Sequence, residues 1–198
     1  MAARDFIDEL NPFMPQTQRM TSISSEVQVC NSDNEITAIN ARYGGRANDQ
    51  RVYRNSAIRN FMERRYDDGI RNFWILGDSG YTLTPTLITP FHNPERGSPS
   101  ERFNIAFVTC RSIVERTIGI LKARWRCLRK ERALHYDPVT AGRIVNMCCV
   151  LHNICRRYGV PDPAMYRDPD VEDDEVIEEI EREDGEIVRQ QIVNEYFL

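Results

Sequence analysis

The chain has 198 residues, of which 41% are hydrophobic and 28% charged, a composition that indicates one globular domain with its own core. Its apolar runs are too short to cross a membrane, so no membrane partner is expected. The net charge of −4 is unevenly spread. Residues 171–186 carry −9, and the remaining +5 is compatible with a polyanionic partner.

Residues 1–22 are predicted to be an N-terminal remnant or a short helix. The apolar spacing from Ala3 to Leu10 favours one helical stripe, which Asn11-Pro12 ends. From Pro12 to Ser22 the chain is polar and irregular and gives no strand signal.

A β-hairpin is predicted over residues 26–41, because two alternating segments flank the turn residues Asn31–Asn34. One helix is predicted to follow. Asn48-Asp49 can cap its start, and Asp67-Asp68-Gly69 ends it.

The apolar run at residues 73–76 is typical of a strand that is buried on both faces. The turn Gly77-Asp78-Ser79-Gly80 then holds the carboxylate of Asp78 at the strand tip, where it could bind a hard cation or a proton. An Asp that only hydrogen-bonds its own turn explains the pattern equally well. Leu87-Ile88 is predicted to be a short edge strand.

The sequence Ser98-Pro99-Ser100-Glu101 predicts the start of a long helix, whose apolar stripe runs from Phe103 to Leu128. Glu115 lies at the edge of this stripe and is a candidate metal ligand. Read alone, it is better explained as a solvated Glu that pairs with Arg111 or Arg116.

Residues 111–132 carry a net charge of +6, which could follow a phosphate backbone. Trp125 interrupts this basic run and is interpreted as a core residue rather than a stacking platform. The alternative for the basic side chains is a solvated helix face. The candidate nucleic-acid-binding residues are Lys122, Arg124, Arg126, Arg129 and Lys130.

A last, largely buried helix is predicted from Asp137-Pro138 to Gly159. Cys148, His152 and Cys155 share one face of it and could bind zinc, but a packed helix with one hydrogen-bonded His is favoured. Residues 161–198 are predicted to be an acidic tail with a short helix, whose apolar stripe from Ile187 to Leu198 could dock back on the body.

An acid on a strand tip and an acid on a later helix can meet over one sheet edge. This arrangement suits metal-assisted phosphoryl transfer, which needs several carboxylate oxygens. Several motifs in the chain, in this order, together resemble the PIF/Harbinger transposases and the nucleases derived from them. They are Val27-Gln28-Val29-Cys30, Tyr43-Gly44-Gly45, Leu76-Gly77-Asp78-Ser79-Gly80-Tyr81, Val114-Glu115-Arg116-Thr117, Leu121-Lys122-Ala123-Arg124-Trp125 and Leu151-His152-Asn153.

The resemblance implies an α/β, ribonuclease-H-like fold with flanking helices, in a DDE-type endonuclease domain over residues 23–160. It also implies nuclear location, a divalent cofactor (Mg²⁺ or Mn²⁺), DNA as substrate and a separate DNA-binding partner protein. Asp78 matches the second catalytic acid of the family and Glu115 the third, so both are expected to be catalytic and to bind the metal.

The family's first acid has no match in this chain, so the first catalytic strand is expected to be missing and the fold incomplete. In this fold that strand lies between the second strand and the strand that ends in Asp78, so its loss would leave two interior edges unpaired. The function implied is a metal-dependent DNA endonuclease that the missing acid would impair. The alternative is a non-catalytic DNA- or protein-binding remnant of a domesticated transposase.

Overall fold

The computed structural model describes residues 18–22, 27–40, 49–129, 136–164, 166 and 183–198. The helix predicted near the N-terminus, Lys130 and most of the acidic stretch lie outside these ranges. In the described part, three strands are followed by two helices, two strands and a final run of helices, which confirms a mixed architecture of helices and strands.

Among the described residues, five strands form one mixed sheet in the order β3-β2-β1-β4-β5. β1 is antiparallel to β2, and β3 is antiparallel to β2, whereas β4 is parallel to both β1 and β5. The strands are β1 (Gln18–Ser22), β2 (Val27–Cys30), β3 (Ile36–Asn40), β4 (Ile75–Leu76) and β5 (Leu87–Ile88).

In the described ranges five α-helices accompany the sheet, and a short 3₁₀ helix (Arg126–Leu128) follows the third of them. The structure splits the helix predicted after residue 48 into two, because Ser56 caps a new start. Its hydroxyl donates to the carbonyl of Tyr53 and accepts from the backbone N–H of Arg59. The helices are α1 (Asp49–Arg54), α2 (Ala57–Asp67), α3 (Pro99–Arg124), α4 (Pro138–Arg157) and α5 (Glu183–Tyr196).

The expectation that the sheet lacks its first strand is wrong. β1 occupies the place between β2 and β4, in a segment that gives no strand signal in the sequence. The physical reason is that backbone hydrogen bonds to two neighbours satisfy both interior edges, whatever the β-propensity of the segment. Gln18–Ser22 contains neither Asp nor Glu, and the loss of the family's first acid stays a prediction.

Helices cover both faces of the sheet at strands β4 and β5. Ile75 and Leu87 belong to a cluster with residues of α1 and α2, whereas Leu76 and Ile88 pack with α3 and α5. All four side chains are buried. The alternation confirms the prediction of a strand that is buried on both faces.

The hairpin turn is fixed to helix α4. The side-chain amide of Asn153 accepts a hydrogen bond from the N–H of Ile36 and donates one to its carbonyl, both at 2.8 Å, as a neighbouring strand would do. The Nε2 atom of His152 lies 2.8 Å from the carbonyl oxygen of Asn34. Asn34 has a positive φ of 58°, so α4 holds a turn conformation that few side chains adopt.

Helix α4 is less buried than its sequence predicts. Met147, Val150 and Ile154 are 58%, 53% and 44% exposed, while Val145, Cys148 and Cys149 pack against β3 and α3. The sequence has apolar residues all round the helix axis, but α4 lies against the sheet with one face only.

Helix α5 docks on the body, as its apolar stripe predicts. Ile192, Val193 and Phe197 are buried in the cluster that covers Leu76 and Ile88. The guanidinium of Arg102 donates to the carbonyl of Phe197 at 2.5 and 3.2 Å. At Gly185, a Cβ atom would lie 2.9 Å from the backbone of Thr84, so only glycine allows this approach.

Candidate active site

Asp78 lies just after β4, in a turn that uses one of its two carboxylate oxygens. Oδ1 accepts a hydrogen bond from the N–H of Gly80 at 3.0 Å, and the carbonyl of Asp78 accepts one from the N–H of Tyr81 at 3.2 Å. The turn bond that sequence reasoning offered as the alternative is therefore present. It leaves Oδ2 available for another partner.

Oδ2 of Asp78 faces Arg111 of helix α3. The distance from Arg111 Nη2 to Oδ2 is 3.6 Å, and the two side chains are 22% and 36% exposed. Within the described part of the chain, the buried Nε atom of Arg111 has no hydrogen-bond partner. Sequence reasoning considered Arg111 as a partner for Glu115 and as part of the basic run, but not as a partner for Asp78. The signal that sequence reasoning missed is that α3 packs on the sheet and passes the C-terminal end of β4.

Glu115 lies four residues after Arg111 on α3 and is exposed. Residues four apart share a helix face, so Glu115 is one turn further along the face that contacts Asp78. Its neighbour Val114 is buried against Cys30 of β2, which fixes the rotation of the helix here. The convergence of Asp78 and Glu115 on one pocket stays a prediction.

The donor chemistry of this site fits one weakly held cation rather than a closely spaced pair. Two carboxylates are hard oxygen donors of the kind that Mg²⁺ and Mn²⁺ prefer. Among the residues that the structure describes, no three His, Cys, Asp or Glu side chains form a group that could hold a metal ion. A cation at Oδ2 of Asp78 would also have to compete with the guanidinium of Arg111.

Two of the predicted DNA-binding residues are held inside the domain. Lys122 is 6% exposed and therefore buried. Arg124 donates to the carbonyl of Pro161 at 3.3 Å and pairs with Asp162 at 3.2 Å, with 12% of its side chain exposed. These contacts attach the end of α3 to the segment after α4.

Arg129 folds back over the end of α3. Its Nε donates to the carbonyl of Lys122 at 3.0 Å, its Nη2 donates to that of Ala123 at 3.4 Å, and its guanidinium lies over the ring of Tyr166. It thus satisfies carbonyls that the helix end leaves without partners. Arg126 is exposed, and Trp125 packs against the α4 cluster, which confirms its interpretation as a core residue.

The face predicted to offer zinc ligands does not form a metal site in the described residues. His152 is fully buried, with Nε2 against the carbonyl of Asn34, and burial lowers its pKa below 6.5. Cys148 faces Cys127 instead, with their sulfur atoms 4.0 Å apart. The structure therefore confirms the packed helix with one hydrogen-bonded His.

Comparison with known proteins decides the family. A family model described as a DDE superfamily endonuclease matches residues 16–153. The chain belongs to this family. The match begins before β1 and includes both Asp78 and Glu115. No solved structure matches the chain.

Curated relatives confirm the resemblance to Harbinger-derived nucleases. The chain is 30% identical to "Putative nuclease HARBI1" of Rattus norvegicus over 177 residues, which are 85% of this chain and 49% of the relative. It is 34% identical to the protein of the same name from Xenopus laevis over 132 residues, 66% of this chain and 37% of the relative. "Protein ALP1-like" of Arabidopsis thaliana is 33% identical over 81 residues, 41% of this chain and 20% of the relative.

The chain spans about half the length of the rat relative. Within the described ranges, no helix is both long and apolar enough to cross a membrane.

Proposed function

We propose that the chain is a divalent-metal-dependent DNA endonuclease with a ribonuclease-H-like fold, and that it acts in the nucleus. The observation that carries this proposal is the contact between α3 and the tip of β4. Asp78 pairs with Arg111 there, and Glu115 follows Arg111 by one helix turn, which supports a shared site. The strand order, with β1 between β2 and β4, supports the fold, and the family match supports the activity.

Each of the three side chains has a separate part in this proposal. Asp78 and Glu115 would hold Mg²⁺ or Mn²⁺, which supplies a Lewis acid for attack of water on a phosphodiester. Arg111 contributes a positive charge beside the carboxylate, where a DNA phosphate oxygen can also accept its hydrogen bonds. The turn bond from Gly80 to Asp78 Oδ1 keeps the carboxylate oriented.

The test is nicking of supercoiled plasmid DNA by the full chain with Mn²⁺ or Mg²⁺. Asp78→Asn keeps the oxygen that accepts from Gly80 but removes the charge, and Glu115→Gln does the same on α3. Each should lower the nicking rate by roughly 100-fold or more. Asp67→Asn, at the exposed end of α2, is the matched control and should cut at the normal rate.

The second candidate function is a non-catalytic DNA- or protein-binding member of the family. Two observations favour it: β1 has no acid, and Arg111 already neutralises Asp78. A folded chain that binds DNA but shows no metal-dependent nicking would contradict the endonuclease proposal and support this one. A separate DNA-binding protein, which the family resemblance implies as a partner, belongs to both proposals.

A further inference from the structure

Two free cysteines from different elements lie side by side at the end of α3. Cys127 belongs to the 3₁₀ helix and is exposed, whereas Cys148 belongs to α4 and is 6% exposed. Their sulfur atoms are 4.0 Å apart. A disulfide has a sulfur–sulfur distance of about 2.0 Å, so the two sulfur atoms must come about 2 Å closer for a bond to form.

The surroundings keep these two thiols adjacent. Trp125 and Leu128, on either side of Cys127, both pack against the cluster that contains Cys148. Arg129 holds the same turn through its bonds to the carbonyls of Lys122 and Ala123. The turn therefore keeps one sulfur open to solvent and directs it at the other.

We propose that Cys127 and Cys148 form a reversible disulfide when the protein meets a low-molecular-weight disulfide such as oxidised glutathione. The thiolate of Cys127 attacks one sulfur of glutathione disulfide, which forms a mixed disulfide and releases one glutathione thiolate. The thiolate of Cys148 then attacks the Cys127 sulfur and releases the second. Two protein thiols are oxidised, one glutathione disulfide is reduced, and the two protons end on the released glutathione molecules.

Burial divides the roles between the two thiols. Desolvation, with a smaller effect from Cys127, raises the pKa of the Cys148 thiol to about 12. Cys127 is in contact with solvent and is the residue that an oxidant meets first. The ring-closing step therefore limits the rate and becomes faster as the pH rises. In a reducing compartment the pair stays as two thiols.

The experiment treats the full native chain with oxidised glutathione, then denatures it and alkylates the remaining thiols. The expected protein has lost the mass of two hydrogen atoms and takes up alkyl groups at four of its six cysteines. Reduction should restore all six. Cys127→Ser and Cys148→Ala should each abolish this loss of mass. Cys127→Ser changes an exposed position, so we expect this variant to fold as the wild type does.

Variants must identify the partner, because trypsin leaves Cys148, Cys149 and Cys155 in one peptide. Cys155→Ser is the matched control: it removes the more accessible thiol of the same helix and should leave the disulfide intact. The proposal is overturned if Cys148→Ala still forms an internal disulfide. It is also overturned if Cys127 stops at the mixed disulfide with glutathione in the wild type. Neither result depends on nuclease activity.

Discussion

The Nη2 atom of Arg111 lies 3.6 Å from Oδ2 of Asp78, so a guanidinium on α3 neutralises the carboxylate at the tip of an interior strand. The remaining oxygen of that carboxylate is bonded to the N–H of Gly80. Each oxygen of Asp78 thus has one partner within the protein, although the side chain is 36% exposed. Any cation that uses Oδ2 must displace Arg111 or share the oxygen with it.

Removal of this charge should therefore strengthen metal binding. In Arg111→Gln, we expect the affinity for Mn²⁺ to rise roughly fivefold, about the 1 kcal/mol that a partly exposed ion pair contributes. Electron paramagnetic resonance of free Mn²⁺ measures this directly. Arg116→Gln removes an equal charge from an exposed position beside Glu115 and should have a smaller effect. An Arg111→Gln affinity at or below that of the wild type would contradict competition.

The missing acid of β1 can be tested by restoring it. The register pairs Gln18 with Ile75 and Arg19 with Leu76, so two further residues set position 21 level with Asp78. Thr21→Asp should raise Mn²⁺ affinity by roughly tenfold, because a third carboxylate adds charge and a ligand. Met20→Asp, one residue out of that register, is the matched control. Equal effects of the two substitutions would contradict the register, and no effect of Thr21→Asp would contradict a metal site at this edge.

DNA contact at the end of α3 is expected to depend on Arg126. Its four predicted companions are buried, bonded within the domain or outside the described ranges, so Arg126 is the exposed described member of the set. Arg126→Glu should weaken DNA binding and lower the salt slope by about 1, since one fewer counterion is released. Fluorescence anisotropy over a range of salt concentrations measures both. Arg143→Glu, on the exposed side of α4, should leave the slope nearer that of the wild type.

His152 should make the domain less stable in mild acid. Burial is the main cause that lowers its pKa below 6.5, Arg124 and Arg156 add to the effect, and the carbonyl of Asn34 and the carboxylate of Asp162 oppose it. Below about pH 6.5 the unfolded chain therefore binds a proton that the folded one refuses. Because the unfolded state binds more protons there, stability falls as the pH falls, by at most about 1.4 kcal/mol per pH unit.

Urea unfolding at pH 7.5, 6.0 and 5.0 measures this loss. His152→Gln offers an amide that can still donate to Asn34 but does not titrate, so its stability should change less over the same range. A variant as sensitive to pH as the wild type would show that other groups cause the acid response.

The boundaries of α3 and α4 were predictable because their signals are local. Ser98 accepts from the N–H of Glu101, and Asp137 accepts from those of Val139 and Thr140, as capping residues do. The hairpin was predictable for the same reason, since alternation and turn residues lie within a short segment. Asp78 and Glu115 were named as site residues from their motifs.

Apart from the local cap at Ser56, the parts that sequence reasoning missed depend on distant partners. β1 is a strand because β2 and β4 each need a hydrogen-bonded neighbour. The sequence of its own five residues does not predict a strand. Arg129 looks like a DNA ligand in a basic run, yet it turns back onto helix carbonyls. Arg111 meets Asp78 across 33 positions of chain, which no local pattern encodes.

The docking of α5 has a consequence for the order in which the domain folds. Arg102 and Phe197, which bond to each other, are 95 residues apart in the chain. Contacts between residues so far apart in the chain form slowly, because forming them costs the conformational entropy of the loop that they close. Until residues 183–197 dock, the surface of Trp74, Leu83 and Ile88 that helix α5 covers is exposed to water. During that interval an unfolded neighbour could bind there, so this side of the sheet is where aggregation during synthesis would begin.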